Sequence, residues 1–149
     1  LGDVYKRQMI ESFLQGTEIS IGCYKTREKS VVFPATEVVT QNEFFDYDAK
    51  YNGKVTEITP ARLSEETTAR VKEITSRIYD ILHCNGIIRI DYIISRGVGS
   101  NGEEVDKVNM IEINTTPGMT ATSFIPQQVK AAGLNMTDVL TDIVENQFR

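Results

Sequence analysis

Glu112 and Asn114 lie two residues apart in Met110-Ile111-Glu112-Ile113-Asn114, so in a strand both side chains reach one face. The strand runs into Thr115-Thr116-Pro117-Gly118-Met119-Thr120, a loop rich in free backbone N–H groups. A carboxylate and an amide beside such a loop suit a hard divalent cation and the phosphate it carries. Upstream, Gly86-Ile87-Ile88-Arg89-Ile90-Asp91-Tyr92-Ile93-Ile94 reads as the partner strand, and Asn101-Gly102 between the two is a strong hairpin signal. A two-residue turn there sets Ser100 opposite Glu103, Asp91 opposite Glu112 and Arg89 opposite Asn114. Directly opposed residues share a face, with Cβ atoms about 4.5–5.5 Å apart. Two like charges so placed repel unless a cation sits between them. The pattern therefore reads either as a metal-binding pair with Arg89 nearby for an anion, or as a solvated sheet face with a chance carboxylate pair.

The bulk of the chain sets the frame. Its 149 residues fit one domain or part of a larger one, and 40% hydrophobic with 25% charged residues is ordinary for a globular chain. A net charge of −5 and the lack of any Lys/Arg run argue against a nucleic-acid partner. No apolar run approaches the length of a membrane span, and Cys23 and Cys84 lack metal-ligand spacing. They read as buried free thiols of a reducing, cytoplasmic compartment.

The elements that position the polar residues follow in order. Residues 1–8 begin without Met and show no period; they read as a non-native scar, or else as an ordinary polar loop into the first strand, with one domain expected over 9–149. Met9–Leu14 reads as a strand and Gln15-Gly16 as a turn, so Glu11 and Glu18 flank one hairpin. Glu18–Tyr24 is a second strand with Ile19, Ile21 and Cys23 on one face and Glu18, Ser20 and Tyr24 on the other. Short strands are expected at 31–34 and 37–40. Residues 42–53, aromatic and charged at once, suit a lid that could deliver Lys50 to a phosphate, or a loop whose aromatics merely patch the core. Ser64 caps a helix with Glu65 and Glu66 in its first turn, an apolar stripe of Val71, Ile74, Ile78, Ile81 and Leu82, and a stop at Asn85-Gly86. His83 belongs to the end of that helix rather than to catalysis. Pro126 suits the first turn of a short helix ending at Gly133, and Thr137 caps a last helix, 138–147, that buries Val139, Leu140, Ile143 and Val144. The whole is an α+β fold: a mostly antiparallel sheet with helices packed on one face.

Four blocks, Ile-Glu-Ser-Phe-Leu-Gln-Gly-Thr-Glu (10–18), Phe-Phe-Asp-Tyr-Asp-Ala-Lys-Tyr (44–51), Gly-Ile-Ile-Arg-Ile-Asp-Tyr (86–92) and Glu-Ile-Asn-Thr-Thr-Pro-Gly-Met-Thr (112–120), with Pro60-Ala61, resemble the C-terminal part of the D-alanine–D-alanine ligases. These are ATP-grasp enzymes, and the second and fourth blocks together are strongly diagnostic. The resemblance covers 9–149 and implies an ATP-grasp C-terminal domain. It also implies joining of two D-alanines through an acyl phosphate for peptidoglycan precursors, in a cytoplasmic enzyme that is a homodimer when full length. By the same resemblance Asp91, Glu112 and Asn114 are ligands of two magnesium ions, with manganese able to substitute. Arg89 and the N–H of Gly118 stabilise the tetrahedral oxyanion, and Ser123 holds the carboxylate of the second D-alanine. Glu11 faces the adenine amino group, the backbone of Ser12, Phe13 and Leu14 reads the adenine edge, Glu18 binds ribose and Lys50 the phosphates. Tyr51 goes with D-alanine rather than D-lactate as second substrate.

Three departures qualify the match. Members of the family are multi-domain chains of roughly twice this length, so the first-substrate domain and the glycine-rich phosphate loop lie outside this sequence. Ser12 stands where many members have Lys, and the hairpin loop 95–104 is longer than the family leads one to expect. A piece without its neighbouring domains is expected to expose apolar surface. The alternatives are a D-alanine–D-lactate or other ATP-grasp ligase, or a nucleotide- or metal-binding module without catalysis.

Overall fold

β1 (Thr17–Lys25) is the spine of the molecule. In the computed structural model, which describes residues 10–40 and 55–148, it pairs antiparallel with β5 (Ile87–Val98) along one edge. On the other edge it pairs first with β3 (Thr36–Thr40) and then with β2 (Ser30–Val32). β4 (Val55–Ile58) extends the sheet beyond β3, and β6 (Glu104–Asn114) beyond β5. The order is β4-β3-β1-β5-β6, with β2 on β1, and every pairing is antiparallel. The segment 1–8 and the lid reading of 42–53, with Lys50 and Tyr51, lie outside the described residues.

Alternation in β1 and β5 puts Ile19, Ile21, Cys23, Ile88, Ile90, Tyr92 and Ile94 on one face, all buried, against Val71 and Tyr79 of α1 (Glu65–Ile81). Tyr24, Phe33 and Ile87 form a second core on the opposite face with Ile125 and Val129 of α2 (Phe124–Ala131) and Val139 of α3 (Met136–Asn146). The single helical layer expected from the sequence is thus α1; the two short helices cover part of the other face.

Ser64 caps α1 as expected, its Oγ accepting from the Thr67 N–H at 3.1 Å. The buried stripe is Thr67, Val71, Thr75 and Tyr79, with Ile74 and Ile78 at its flank, whereas Ile81 and Leu82 are exposed. Thr75 sits inside because its hydroxyl pairs with Tyr92 Oη at 2.9 Å, a partner the helical period does not reveal. The helix stops before Asn85-Gly86. His83, with φ +50°, is the left-handed residue of a Schellman turn in which Cys84 N–H donates to the Tyr79 carbonyl at 3.0 Å and His83 N–H to Asp80 at 3.1 Å. A helix-end role for His83 holds. Gly133, φ +70°, ends α2 the same way, with Pro126 in the first turn. The cap of α3 is Asn135, not Thr137: its side chain accepts from the Thr137 N–H at 2.8 Å. Of the stripe expected there, Val139 is buried and Ile143 partly so, but Leu140 and Val144 are exposed.

Two further expectations are corrected. Ile10–Gln15 is irregular, not a strand, and Ile10 is 92% exposed. β1 has β5 on one edge and β3 and β2 on the other, so no edge of β1 remains for a hairpin partner, and Glu11 and Glu18 do not flank a hairpin. The turn between β5 and β6 has three residues, Ser100–Gly102. Gly102 N–H donates to the Gly99 carbonyl and Gly99 N–H to the Glu103 carbonyl, with Gly102 at φ +84°. The strands therefore leave the turn one residue out of the expected register, Val98 facing Glu104.

Candidate active site

The slip is repaired before it reaches the polar residues. Tyr92 faces Met110 and Asp91 faces Glu112, so Ile111 is an extra residue in β6, a β-bulge. From there on Asp91 opposes Glu112 and Arg89 opposes Asn114, the pairing expected from the sequence. Two one-residue departures, a longer turn and a bulge, cancel at the site. Bulges re-aim side chains next to functional sites, and Ile111 and Glu112 here wall a hollow of about 250 Å³ together with Asp91, Glu18 and Ile93.

Three carboxylates thus border one space. Glu18 reaches it from β1; its carboxyl is raised above the ordinary range by burial first and by the charge of Asp91 second. Asp91 is held in place from two sides. Ser20 Oγ donates to its Oδ1 at 2.7 Å, and Arg89 Nε and Nη2 donate to Oδ1 and Oδ2 at 3.0 and 2.9 Å. The Arg89 guanidinium also lies over the Phe124 ring, 5.5 Å from its centroid. Asn114 Oδ1 accepts from the Thr116 N–H at 3.0 Å and so starts the Thr-Thr-Pro-Gly loop. Among the described residues no three His, Cys, Asp or Glu side chains converge as a metal cluster. The set is two opposed carboxylates and an amide, all hard oxygen donors. Such a set fits Mg²⁺, a hard cation that prefers oxygen donors and would take its remaining ligands from phosphate and water.

A second hollow of about 420 Å³ shares Glu18 and Ile93 with the first and is otherwise walled by Phe13, Leu14, Val38 and Val39 among others. The two hollows adjoin at Glu18 and Ile93, and each mixes apolar side chains with carboxylates: Glu18 and Glu37 in the larger, Glu18, Asp91 and Glu112 in the smaller. Of the residues assigned to the nucleotide, Phe13, Leu14 and Glu18 are brought together here; Glu11 and Ser12 are exposed on the irregular segment and do not line it. On the far side of Arg89, Ser123 precedes α2 as its N-cap, its Oγ 2.8 Å from Thr120 Oγ1. Gly118 packs so close that a Cβ there would lie 2.9 Å from Ser123 Oγ.

Several participants were not foreseen. Ser20 reads in the sequence only as the polar alternate of a strand, and its contact with Asp91 depends on the β1–β5 register. Phe124 reads as helix core. Glu37, buried, is clamped by Arg62 Nη2 and Nε at 2.6 and 2.9 Å, which holds its carboxyl below the usual range. Gln128 carries no signal at all, since a buried amide looks like any surface Gln.

A mostly antiparallel sheet flanked by three helices in this arrangement is the C-terminal part of an ATP-grasp fold: D-alanyl-alanine synthetase A from Vibrio cholerae superposes with a TM-score of 0.72 over 91% of this chain and 40% of its own, at 22% identity. The chain belongs to the family described as D-ala D-ala ligase C-terminus, whose model matches residues 3–145. It is 69% identical over 140 residues to a D-alanine–D-alanine ligase of Bacteroides fragilis and 67% identical over 140 residues to one of Phocaeicola vulgatus, in each case 94% of this chain and 41% of the relative. It thus spans about two-fifths of the length of these curated relatives. Among solved structures, a D-alanine–D-alanine ligase from Bacillus anthracis complexed with ATP is 29% identical with a TM-score of 0.65, covering 93% of this chain and 42% of its own. The VanG D-Ala:D-Ser ligase of Enterococcus faecalis is 28% identical with a TM-score of 0.70, covering 90% and 37%. Among the described residues no helix is long and apolar enough to cross a membrane.

Proposed function

We propose that this chain carries the catalytic end of an ATP-dependent D-alanine–D-alanine ligase, a cytoplasmic enzyme of peptidoglycan precursor synthesis that is a homodimer when full length. The observation that carries the reading is the opposition of Asp91 and Glu112 beside a hollow that adjoins, at Glu18 and Ile93, a larger one walled by Phe13 and Leu14. A nucleotide has parts for both: a flat base to lie against Phe13 and Leu14, and a polyanion whose cation the opposed carboxylates would hold. The names of relatives at 69% and 67% identity supply the substrate class.

In the proposed reaction the carboxylate of one D-alanine takes the γ-phosphoryl group of ATP, giving an acyl phosphate and ADP. The amine of the second D-alanine attacks the acyl carbon, and phosphate leaves from a tetrahedral intermediate as the amine proton is lost. The backbone of Ser12, Phe13 and Leu14 reads the adenine edge, Glu11 faces its amino group, and Glu18 accepts from the ribose hydroxyls. Asp91, Glu112 and Asn114 hold Mg²⁺, which when bound neutralises phosphate charge. Arg89 and the Gly118 N–H donate to the oxyanion, which needs fixed donors where charge develops. Ser123 donates to the carboxylate of the second D-alanine. Lys50 contacts the phosphates, and Tyr51 goes with D-alanine as the second substrate.

The test uses the full-length protein encoded by the native gene. Phosphate release from ATP and Mg²⁺ is measured with D-alanine alone and with D-alanine plus D-lactate or D-serine, for wild type and Glu112→Gln. The reading expects release with D-alanine alone that collapses in Glu112→Gln. Release only with D-lactate would move the reading to a D-alanine–D-lactate ligase, and release only with D-serine to a ligase of the kind the VanG likeness names. No substrate-dependent release from the folded protein would leave a binding module.

A further inference from the structure

β1 changes neighbours halfway along its outer edge. Glu18–Ser20 pair with β3 and Cys23–Lys25 with β2, while Phe33-Pro34-Ala35 between those two strands belongs to neither. Pro34 has no N–H to offer there. Phe33 N–H still donates to the Gly22 carbonyl at 2.9 Å and Ser20 is paired with Thr36, so the group this gap would leave buried without a partner is the Gly22 N–H, covered by Ile125 and Phe33. The side chain of Gln128, from α2 and 0% exposed, fills the gap. Its Oε1 accepts from the Gly22 N–H at 2.8 Å, and its Nε2 donates to the Ser20 carbonyl at 2.9 Å and to Thr36 Oγ1 at 3.1 Å. The carboxamide oxygen stands in for the strand carbonyl that the Gly22 N–H would otherwise meet, and its Nε2 adds a bond to the Ser20 carbonyl. Only the absence of a Cβ at Gly22 lets it approach: one there would lie 2.4 Å from Ile125 Cδ1 and 3.0 Å from Gln128 Oε1.

The clamp joins two halves of the site. At one end is Ser20, whose hydroxyl holds Asp91. At the other is α2, which begins at the Arg89-stacked Phe124 directly after Ser123. Phe124 and Gln128 are four residues apart, so they lie on the same side of the helix. A slide of α2 along β1 would move Ser123 and the Gly118 loop relative to Asp91 and Arg89. We propose that Gln128 is a positioning residue for the ligase reaction: by replacing a strand neighbour of β1 it sets the distance between the loop that holds the second amino-acid substrate and the carboxylate pair. This rests on the functional reading above.

The experiment compares full-length wild type with Gln128→Met, which keeps the length of the side chain and loses every hydrogen bond. Gln128→Glu, which keeps an acceptor for Gly22 and loses both donors, and Thr36→Val, which removes only the third partner, complete the set. Thermal stability and the separate KM values for ATP and for the second amino acid are measured well below the lowest Tm. The expected result is a rise of about tenfold or more in the second-substrate KM of Gln128→Met, a smaller rise in Gln128→Glu, and changes within about twofold for Thr36→Val and for every ATP KM. Either Gln128 variant folded, with a lowered Tm but second-substrate KM and kcat within about twofold of an active wild type, overturns the inference and leaves Gln128 a purely structural prop; if Gln128→Met does not fold, Gln128→Glu decides. A wild type with no ligase activity overturns the functional reading, and this inference with it.

Discussion

The buried pair between Thr75 and Tyr92 offers a test of how α1 is held to the sheet behind the site. Both side chains are 0% exposed, their oxygens are 2.9 Å apart, and burial pushes the Tyr92 phenol up to about 12. No buried side-chain polar atom among the described residues lacks a partner, so neither hydroxyl has a spare one waiting. Removing one hydroxyl strands the other at a cost of about 1–3 kcal/mol, whereas removing both leaves an apolar contact of nearly the same shape. Thr75 is in a helix and can turn its stranded hydroxyl to the carbonyl one turn back; the Tyr92 hydroxyl has no such recourse. We therefore expect Tyr92→Phe near the low end, about 1 kcal/mol, Thr75→Val nearer 2–3, and the double variant within about 1 kcal/mol of wild type. Hydrogen exchange of the slow amides of β1 and β5 in the full-length protein reads this unit directly, a loss of about 1.4 kcal/mol appearing as tenfold faster exchange in the fast-reclosing regime. Additive single effects, with the double variant costing their sum, would refute the claim that the two hydroxyls satisfy each other.

Four shorter predictions follow from the same reasoning. His83→Gly should stabilise the protein by about 0.5–1 kcal/mol, seen as a higher Tm, because the residue is exposed and held at φ +50°. Deleting Ser100 should convert the three-residue turn into an Asn-Gly two-residue turn without moving Asp91 from Glu112, since Gly99 and Glu103 stay opposed; loss of Mg²⁺-dependent activity would count against this. Glu18 has a carboxyl raised by burial and by Asp91, so the fold is favoured while Glu18 is protonated and loses that advantage as pH rises from the ordinary value of 4.5 through the raised one. Glu18→Gln should accordingly raise Tm at neutral pH, with the gain vanishing below about pH 4; an equal gain at all pH values would contradict it. Cys23, fully buried with its thiol pushed up to about 12, should resist thiol reagents in the native state and react only on unfolding.

Much of this architecture is legible in local patterns because local physics produces it. The two-residue alternation of Ile19, Ile21 and Cys23 is the burial of one face of β1, and Ser64 with Glu65 and Glu66 marks the start of α1 as any free helix end would be marked. The spacing of Arg89 with Asp91, and of Glu112 with Asn114, puts each couple on one face whatever the rest of the chain does. Tertiary structure decided what those patterns leave open. The expected opposition of Asp91 and Glu112 is correct, yet the turn that was to produce it is one residue longer, and the bulge at Ile111 makes up the difference. Register is a property of the whole ladder, so no turn residue could announce that compensation. Ile10–Leu14 has strand-like composition but no strand edge to join, and the availability of an edge depends on β2, β3 and β5. Thr75 and Gln128 look like solvent-facing residues because their types are polar. They are buried because a phenol and a gap in a strand's edge lie opposite them, and a partner distant in the chain has no trace in local periodicity.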